Sequence, residues 1–400
     1  MLILADSPAI SIALRPLTAL KAIASLRVGI FSIQEKWIQI SKHKCLIQTS
    51  AHLQPLYNAQ PQGGIYINSA ICPSLDIWNA IQNLQQEEAL VQEEQLIAWK
   101  TNAAFADTQE LYTAWLKVRN KKSLALPHQA MRFLLRPWHI FLYNRAELIA
   151  DFERITKGRR SAPIQDPHTQ VYNPSQIFLE EGASVLASTL NADKGPIYLA
   201  RGARIEEGCI VRGAAALGEG ATLNCGTKLR GDSTIGPFCK VGGEVSNVVF
   251  QAYSNKGHEG FLGNALVGEW CNLGALTTGS NLKNNYSSVK VWSDLEKTTI
   301  DSGQLFCGPI IGDHAKTAIG VMLNTGCVLG TAANVIETDF KCKYFEPFLW
   351  HRGVHKTFNR WQDFLQTLDT VMKRRVQTLT PEYIKALKAE FDMAKATQTN

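Results

Sequence analysis

The chain has 400 residues, 45% apolar and 19% charged, and its 41 Lys and Arg against 35 Asp and Glu give a formal charge of +6. That length points to two or three domains with full cores, and the composition excludes a stapled mini-protein, a disordered chain or a collagenous one. With no basic run longer than Lys373-Arg374-Arg375, the charge requires no nucleic acid, and a local patch suited to acidic or phosphorylated small molecules fits it equally well.

The opening run Met1 to Ala5 is apolar, lacks a basic leader and meets Asp6 at once, so it reads as a first strand rather than a signal peptide. Gly64-Ile65-Tyr66-Ile67-Asn68 reads as another strand, while residues 76–86 and 107–119 space their apolar residues helically. Strands alternating with helices predict an α/β domain over residues 1–160. Residues 131–157 read as helix packed on that domain, and Trp78, Trp99, Trp115 and Trp138 read as core. Charge and two prolines in residues 159–167 mark a linker. No stretch reaches the roughly 18 apolar residues of a membrane span. The nine cysteines are scattered without CxxC or Cys/His metal spacing, which predicts a reducing cytoplasm and no metal centre.

Four of the 29 glycines fall in residues 1–170 and 24 in residues 171–340, so the architecture changes. From residue 199, steps of six give Leu199, Ile205, Val211, Leu217, Leu223, Leu229, Ile235 and Val241, each followed four positions on by a small or modest side chain. The pattern resumes at Phe261, Val267 and Leu273 and again from Ile311. A period of six fits a triangular solenoid in which three short strands make an 18-residue coil. On that spacing Lys194, Arg212 and Arg230 stack as a cationic ladder. Two breaks, at residues 246–260 and 279–309, are where a rigid solenoid would carry a site. The first holds His258 between glycines, able to accept a proton near neutral pH. The second is rich in amides and cations. Residues 341–400 read as a helical tail, with Pro381 opening its second helix. His351 and His355 sit four apart, but Gly353 between them disfavours the helix a shared metal would need.

The hexad pattern resembles the left-handed parallel β-helix of the hexapeptide-repeat acyltransferases. The run Lys256 to Gly263, then Gly268, Asn272-Leu273-Gly274-Ala275, Asn285-Tyr286 and Lys290, resembles in order the acetyltransferase half of bifunctional N-acetylglucosamine-1-phosphate uridyltransferase/glucosamine-1-phosphate acetyltransferases. The resemblance implies His258 as the base that deprotonates a sugar amine for attack on acetyl-CoA or another acyl-CoA, with Glu244 orienting the imidazole. It implies Arg230 on the sugar phosphate, Asn272, Asn285, Tyr286 and Lys290 on the acceptor, Ala275 near the thioester, and a homotrimer with sites between neighbouring solenoids. Ser246 and Phe261 stand where that family carries a phosphate-binding lysine and a sugar-contacting tyrosine, which leaves the acceptor open between an amino sugar phosphate and a nucleotide-linked amino sugar.

The whole chain, from Leu14-Arg15-Pro16-Leu17-Thr18 through Glu35-Lys36-Trp37, is similar to a bacterial family of sugar nucleotidyltransferases, which implies a Rossmann-like first domain. Such enzymes wrap a triphosphate in a glycine-rich loop after the first strand. Here Asp6-Ser7-Pro8 follows, no glycine precedes Gly29, and neutral Asn68 stands where a metal-binding aspartate is expected. The first domain therefore reads as degenerate, with Arg15 and Lys36 as surface residues, the alternative being contacts to a phosphate, and Mg2+ needed only were it active. The expectation is an N-acyltransferase, with a sugar-1-phosphate nucleotidyltransferase or a non-catalytic sugar-nucleotide scaffold as alternatives.

Overall fold

The computed structural model describes residues 1–57, 63–93, 95–124, 131–337 and 340–397; the last three residues of the expected tail lie outside these. Leu2–Ala5 lies between the parallel strands Cys45–Gln48 and Gly64–Asn68, and the sheet continues through Gln95–Thr101, Glu88–Gln92 and Lys121–Ser123. The opening strand is buried on both faces, as an unbroken apolar run in a parallel sheet requires. Around the sheet lie helices α1 (Pro8–Ala13), α2 (Ile33–Ser41), α3 (Leu75–Gln82), α4 (Thr108–Leu116) and α5 (His139–Thr156). Ser32 and Glu35 satisfy each other's backbone N–H groups at the start of α2, the reciprocal pattern that stops the first turn from fraying. The four predicted tryptophans are buried.

From Gln170 onward the chain winds as a left-handed parallel β-helix whose three walls are sheets of six, nine and ten strands. All eight predicted hexad aliphatics and the eight residues four positions after them are buried. Ile205 pairs in register with Leu223 and Leu223 with Val241, one 18-residue coil apart. Each buried aliphatic contributes roughly 1.5–3 kcal/mol, which is why none of the eight aliphatic positions from Leu199 to Val241 carries a polar residue.

Three details of the repeat differ from the sequence reading. The inward residue of the strand Phe261–Gly263 is Leu262, buried completely, and Phe261 lies outside. The expected first break is no break: Val249–Ala252 and Asn255–Lys256 continue the walls in a coil shortened to 15 residues, with Lys256 in the inward place below Val241. The cationic ladder loses Lys194, because the coil from Asn191 to Arg212 is 21 residues long and Asn191 stands opposite Arg212. The second interruption is real and contains the hairpin Lys290–Ser293 with Thr298–Asp301.

The tail forms α6 (Trp361–Lys373) and α7 (Pro381–Ala396). Both dock on one corner of the solenoid, where Tyr253 stacks on Trp270 at 4.2 Å and Phe348 meets Phe364 and Phe391. His351 and His355 lie on two antiparallel strands, one buried and one exposed, with no helix to align them. Polar contacts join the first domain to the solenoid: Lys21 pairs with Glu269 and Asp313, and Asn144 bridges the Gly29 amide and the Asp232 carbonyl.

Candidate active-site groove

One outward column of the ten-stranded wall reads Lys240, Asn255, Asn272 and Lys316 on consecutive coils. These four rungs span about 14 Å along the axis at the usual strand spacing. They floor a groove of about 790 Å³. One side is the end of α6, which contributes Val371, Arg374 and Arg375, and the other is a solenoid corner carrying Gly257, His258, Gly274, Ala275 and Ile319. Among the described residues no Asp or Glu lines the groove. Among the described residues none of Lys240, Lys316, Arg374 and Arg375 has an ion-pair partner, and Arg375 donates to the Asn255 amide oxygen at 2.8 Å. Burial pushes the Lys316 ammonium down from its ordinary value, while four positive groups facing one cleft favour an anion between them.

His258 is exposed at the groove's edge. Its backbone is tied from below: Asn224 donates to the Gly257 carbonyl at 2.9 Å, and the Lys256 ammonium donates to the His258 carbonyl at 2.8 Å and to that of Gly242 at 2.9 Å. Asn272 and Ala275 share this groove with His258. The other expected site residues do not line it. Glu244, half-buried on the six-stranded wall, accepts a hydrogen bond from the exposed Arg230 at 3.2 Å, and no hydrogen bond between Glu244 and His258 is present among the described residues. Asn285 and Tyr286 sit exposed on the insertion, where Asn285 accepts from Ser287, and Lys290 begins the hairpin beyond them.

At the strand ends of the first domain, Asp6 is fully buried and accepts from Ser69, Thr49 and the Ile23 amide. Burial pushes its carboxyl up to about 6. Asn68 spends its amide on the Leu96 carbonyl and the Ala70 N–H. The expectation of a surface residue is wrong for Lys36, whereas Arg15 is half-buried. Lys36 is 1% exposed and pairs with the buried Glu147 and Asp151, and Arg15 pairs with Glu390 of α7 at 2.5 Å. Burial alone would lower the Lys36 ammonium, but the two carboxylates hold it above its ordinary value.

Sequence reasoning missed Lys240, Asn255, Lys316, Arg374 and Arg375. The triple cation at residues 373–375 was visible as a charge run, and only its docking beside the solenoid wall makes it part of a cleft. Lys240, Asn255 and Asn272 would have aligned had the 15- and 17-residue coils been known, and Lys316 only with the 44-residue step that carries the insertion.

Residues 2–160 match the model of the sugar nucleotidyl transferase family. The chain is also similar to proteins named bifunctional protein GlmU: that of Paracoccus denitrificans is 40% identical over 155 residues, covering 37% of this chain and 33% of the relative. The Nocardia farcinica protein is 30% identical over 169 residues, covering 39% and 33%, and the Cupriavidus taiwanensis protein 25% over 227 residues, covering 50% and 46%. This chain thus spans about a third to a half of the length of these curated relatives. No helix among the described residues is long and apolar enough to cross a membrane. On these matches the chain unites a sugar nucleotidyl transferase-family segment with a parallel β-helix and is similar to the bifunctional GlmU proteins.

Proposed function

We propose that the chain is a transferase of sugar-nucleotide metabolism, an acyl-CoA-dependent N-acyltransferase whose acceptor is an amino sugar phosphate or a nucleotide-linked amino sugar. The observation that carries this reading is the groove itself: four cations without a carboxylate, ending at an exposed imidazole. Lys240, Lys316, Arg374 and Arg375 match the phosphates of a CoA thioester, since charge-assisted hydrogen bonds are the strong ones. The thioester carbonyl would then lie by Ala275. The acceptor amine attacks that carbonyl, the C–N bond forms and the C–S bond breaks, His258 takes the amine proton, and CoA leaves as its thiol. Asn272 orients the acceptor from the groove floor.

Arg230, Glu244, Asn285, Tyr286 and Lys290 lie outside the groove of their own chain, which fits a homotrimer in which a neighbouring copy completes the acceptor site. Leu276, Tyr286, Ile319 and Met322, each more than half exposed, supply apolar surface for such packing. The nine cysteines, scattered along the sequence without metal-ligand spacing, fit a reducing cytoplasm, and neither nucleic acid nor membrane is needed as a partner.

The first domain is assigned no nucleotide transfer. The residues present do not fit Mg2+: Asp6 is buried under three donors, and Asn68 has both ends of its amide engaged. The test is thiol release from acetyl-CoA with a panel of amino sugar phosphates and nucleotide-linked amino sugars. His258→Ala is expected to lower kcat about 10²–10⁴-fold, the usual contribution of a general base. Turnover equal to the wild type would remove His258 as the base, and ligand binding without turnover would favour the scaffold.

A further inference from the structure

Lys256 occupies a place that the four preceding coils give to aliphatic side chains. The inward column of this wall runs Val185, Ile205, Leu223 and Val241 before it, and Leu273 belongs to the next coil. Lys256 is 1% exposed, and placing an amine here works against the burial that builds the solenoid. Its four-carbon stem fills the aliphatic position, while its nitrogen reaches the corner and donates to two carbonyls, Gly242 on the coil above and His258 on the next turn of its own. Burial pushes the ammonium down to about 8, with Glu259 opposing the shift, and an uncharged amine retains two N–H groups for those two acceptors. On the other flank of the same turn, Asn224 holds the Gly257 carbonyl. That amide packs closely on the turn, its nitrogen standing 3.2 Å from where a Cβ on Gly257 would fall. The turn that carries the imidazole is therefore held through its backbone oxygens, and among the described residues no hydrogen bond of the ring is present.

We propose that Lys256 is a positioning residue for the acyl transfer, fixing the backbone of His258 so that the imidazole stands at the groove edge. This rests on the reading of His258 as the base. A buried nitrogen that only completed the fold would be replaced without loss of rate by any side chain that fills the column. A nitrogen that sets the place of the base has a cost in rate, because small displacements of a catalytic group lower turnover steeply.

The experiment is Lys256→Met in the full chain, in which the thioether keeps the length and fills the aliphatic column but cannot donate. The expected result is a kcat lowered about 10–100-fold, a KM for acetyl-CoA within about twofold of wild type, and an unfolding midpoint at or above that of wild type. Amide hydrogen exchange at residues 257–260, read without substrate, is expected to accelerate about tenfold or more as the turn loses its anchor. Wild-type kcat in Lys256→Met beside an inactive His258→Ala overturns the proposal while leaving the acyltransferase reading in place. Unchanged exchange overturns it as well, whatever the activity. A variant without a cooperative unfolding transition assigns the amine to the fold and overturns the positioning role. Full activity in His258→Ala removes the base itself and with it both readings.

Discussion

The two ends of this molecule treat their cations in opposite ways. In the first domain each of Arg15, Lys21 and Lys36 reaches a carboxylate: Glu390, the pair Glu269 and Asp313, and the pair Glu147 and Asp151. In the groove of the solenoid, Lys240, Lys316, Arg374 and Arg375 face a cleft that no carboxylate lines. A buried cation surrounded by acids is committed to the fold, since removing either partner strands a charge in low dielectric. A cation without an acid keeps its field for a ligand. The residues that look most like phosphate contacts in the sequence, Arg15 and Lys36, are thus structural, and those left unremarked on the β-helix wall are available for binding.

The contrast breaks most visibly at Lys36. Lys36→Met leaves Glu147 and Asp151 buried with, among the described residues, only the flanking Arg132 and Arg154 as cationic partners, and a loss of about 3–5 kcal/mol in chemical denaturation is expected. Stability equal to wild type would mean that the acids are neutral in the native state and the pairing is incidental. Asp6 sharpens the same point through pH. Its folded pKa of about 6 lies above the ordinary 3.8, so the folded state holds that proton more tightly than the unfolded chain. The associated stability is present below about pH 4 and is lost as pH rises through 6, by about 2–3 kcal/mol for two units. The difference in unfolding free energy between wild type and Asp6→Asn, measured from pH 4 to pH 7, should drift against the wild type by that amount. A flat difference would place Asp6 in contact with solvent or with a cation. The smallest effect is expected in the groove: Arg374→Ala and Arg375→Ala should each raise the KM for acetyl-CoA about tenfold, near the worth of one charge-assisted hydrogen bond, with unfolding unchanged within about 0.5 kcal/mol. An unaltered KM in the double variant would detach α6 from the ligand.

Much of the fold is legible in the sequence because a solenoid repeats one local problem. Leu199 to Val241 recur every six residues because each strand must present one aliphatic to the same narrow interior. The first strand, α3, α4 and the two tail helices are equally local, written in apolar spacing and in caps such as Ser74, Asp107 and Thr380. The candidate site was legible only where it is contiguous: His258, Asn272 and Ala275 lie close together in the chain. Phe261 was mistaken for the inward residue and residues 246–260 for a break because a 15-residue coil with a lysine in its core leaves no hexad to read.

Sequence by itself determined the change of architecture near residue 170, the β-helix and the cluster around His258, since each follows from side chains a few positions apart. Tertiary structure alone decided what every charge does. Lys36 and Glu147 are 111 positions apart, and Arg375 and Asn255 are 120 apart. Whether a cation meets an acid or an open cleft depends on how distant coils and helices stack, and Coulomb energy depends on separation and burial in space, neither of which the order of residues records.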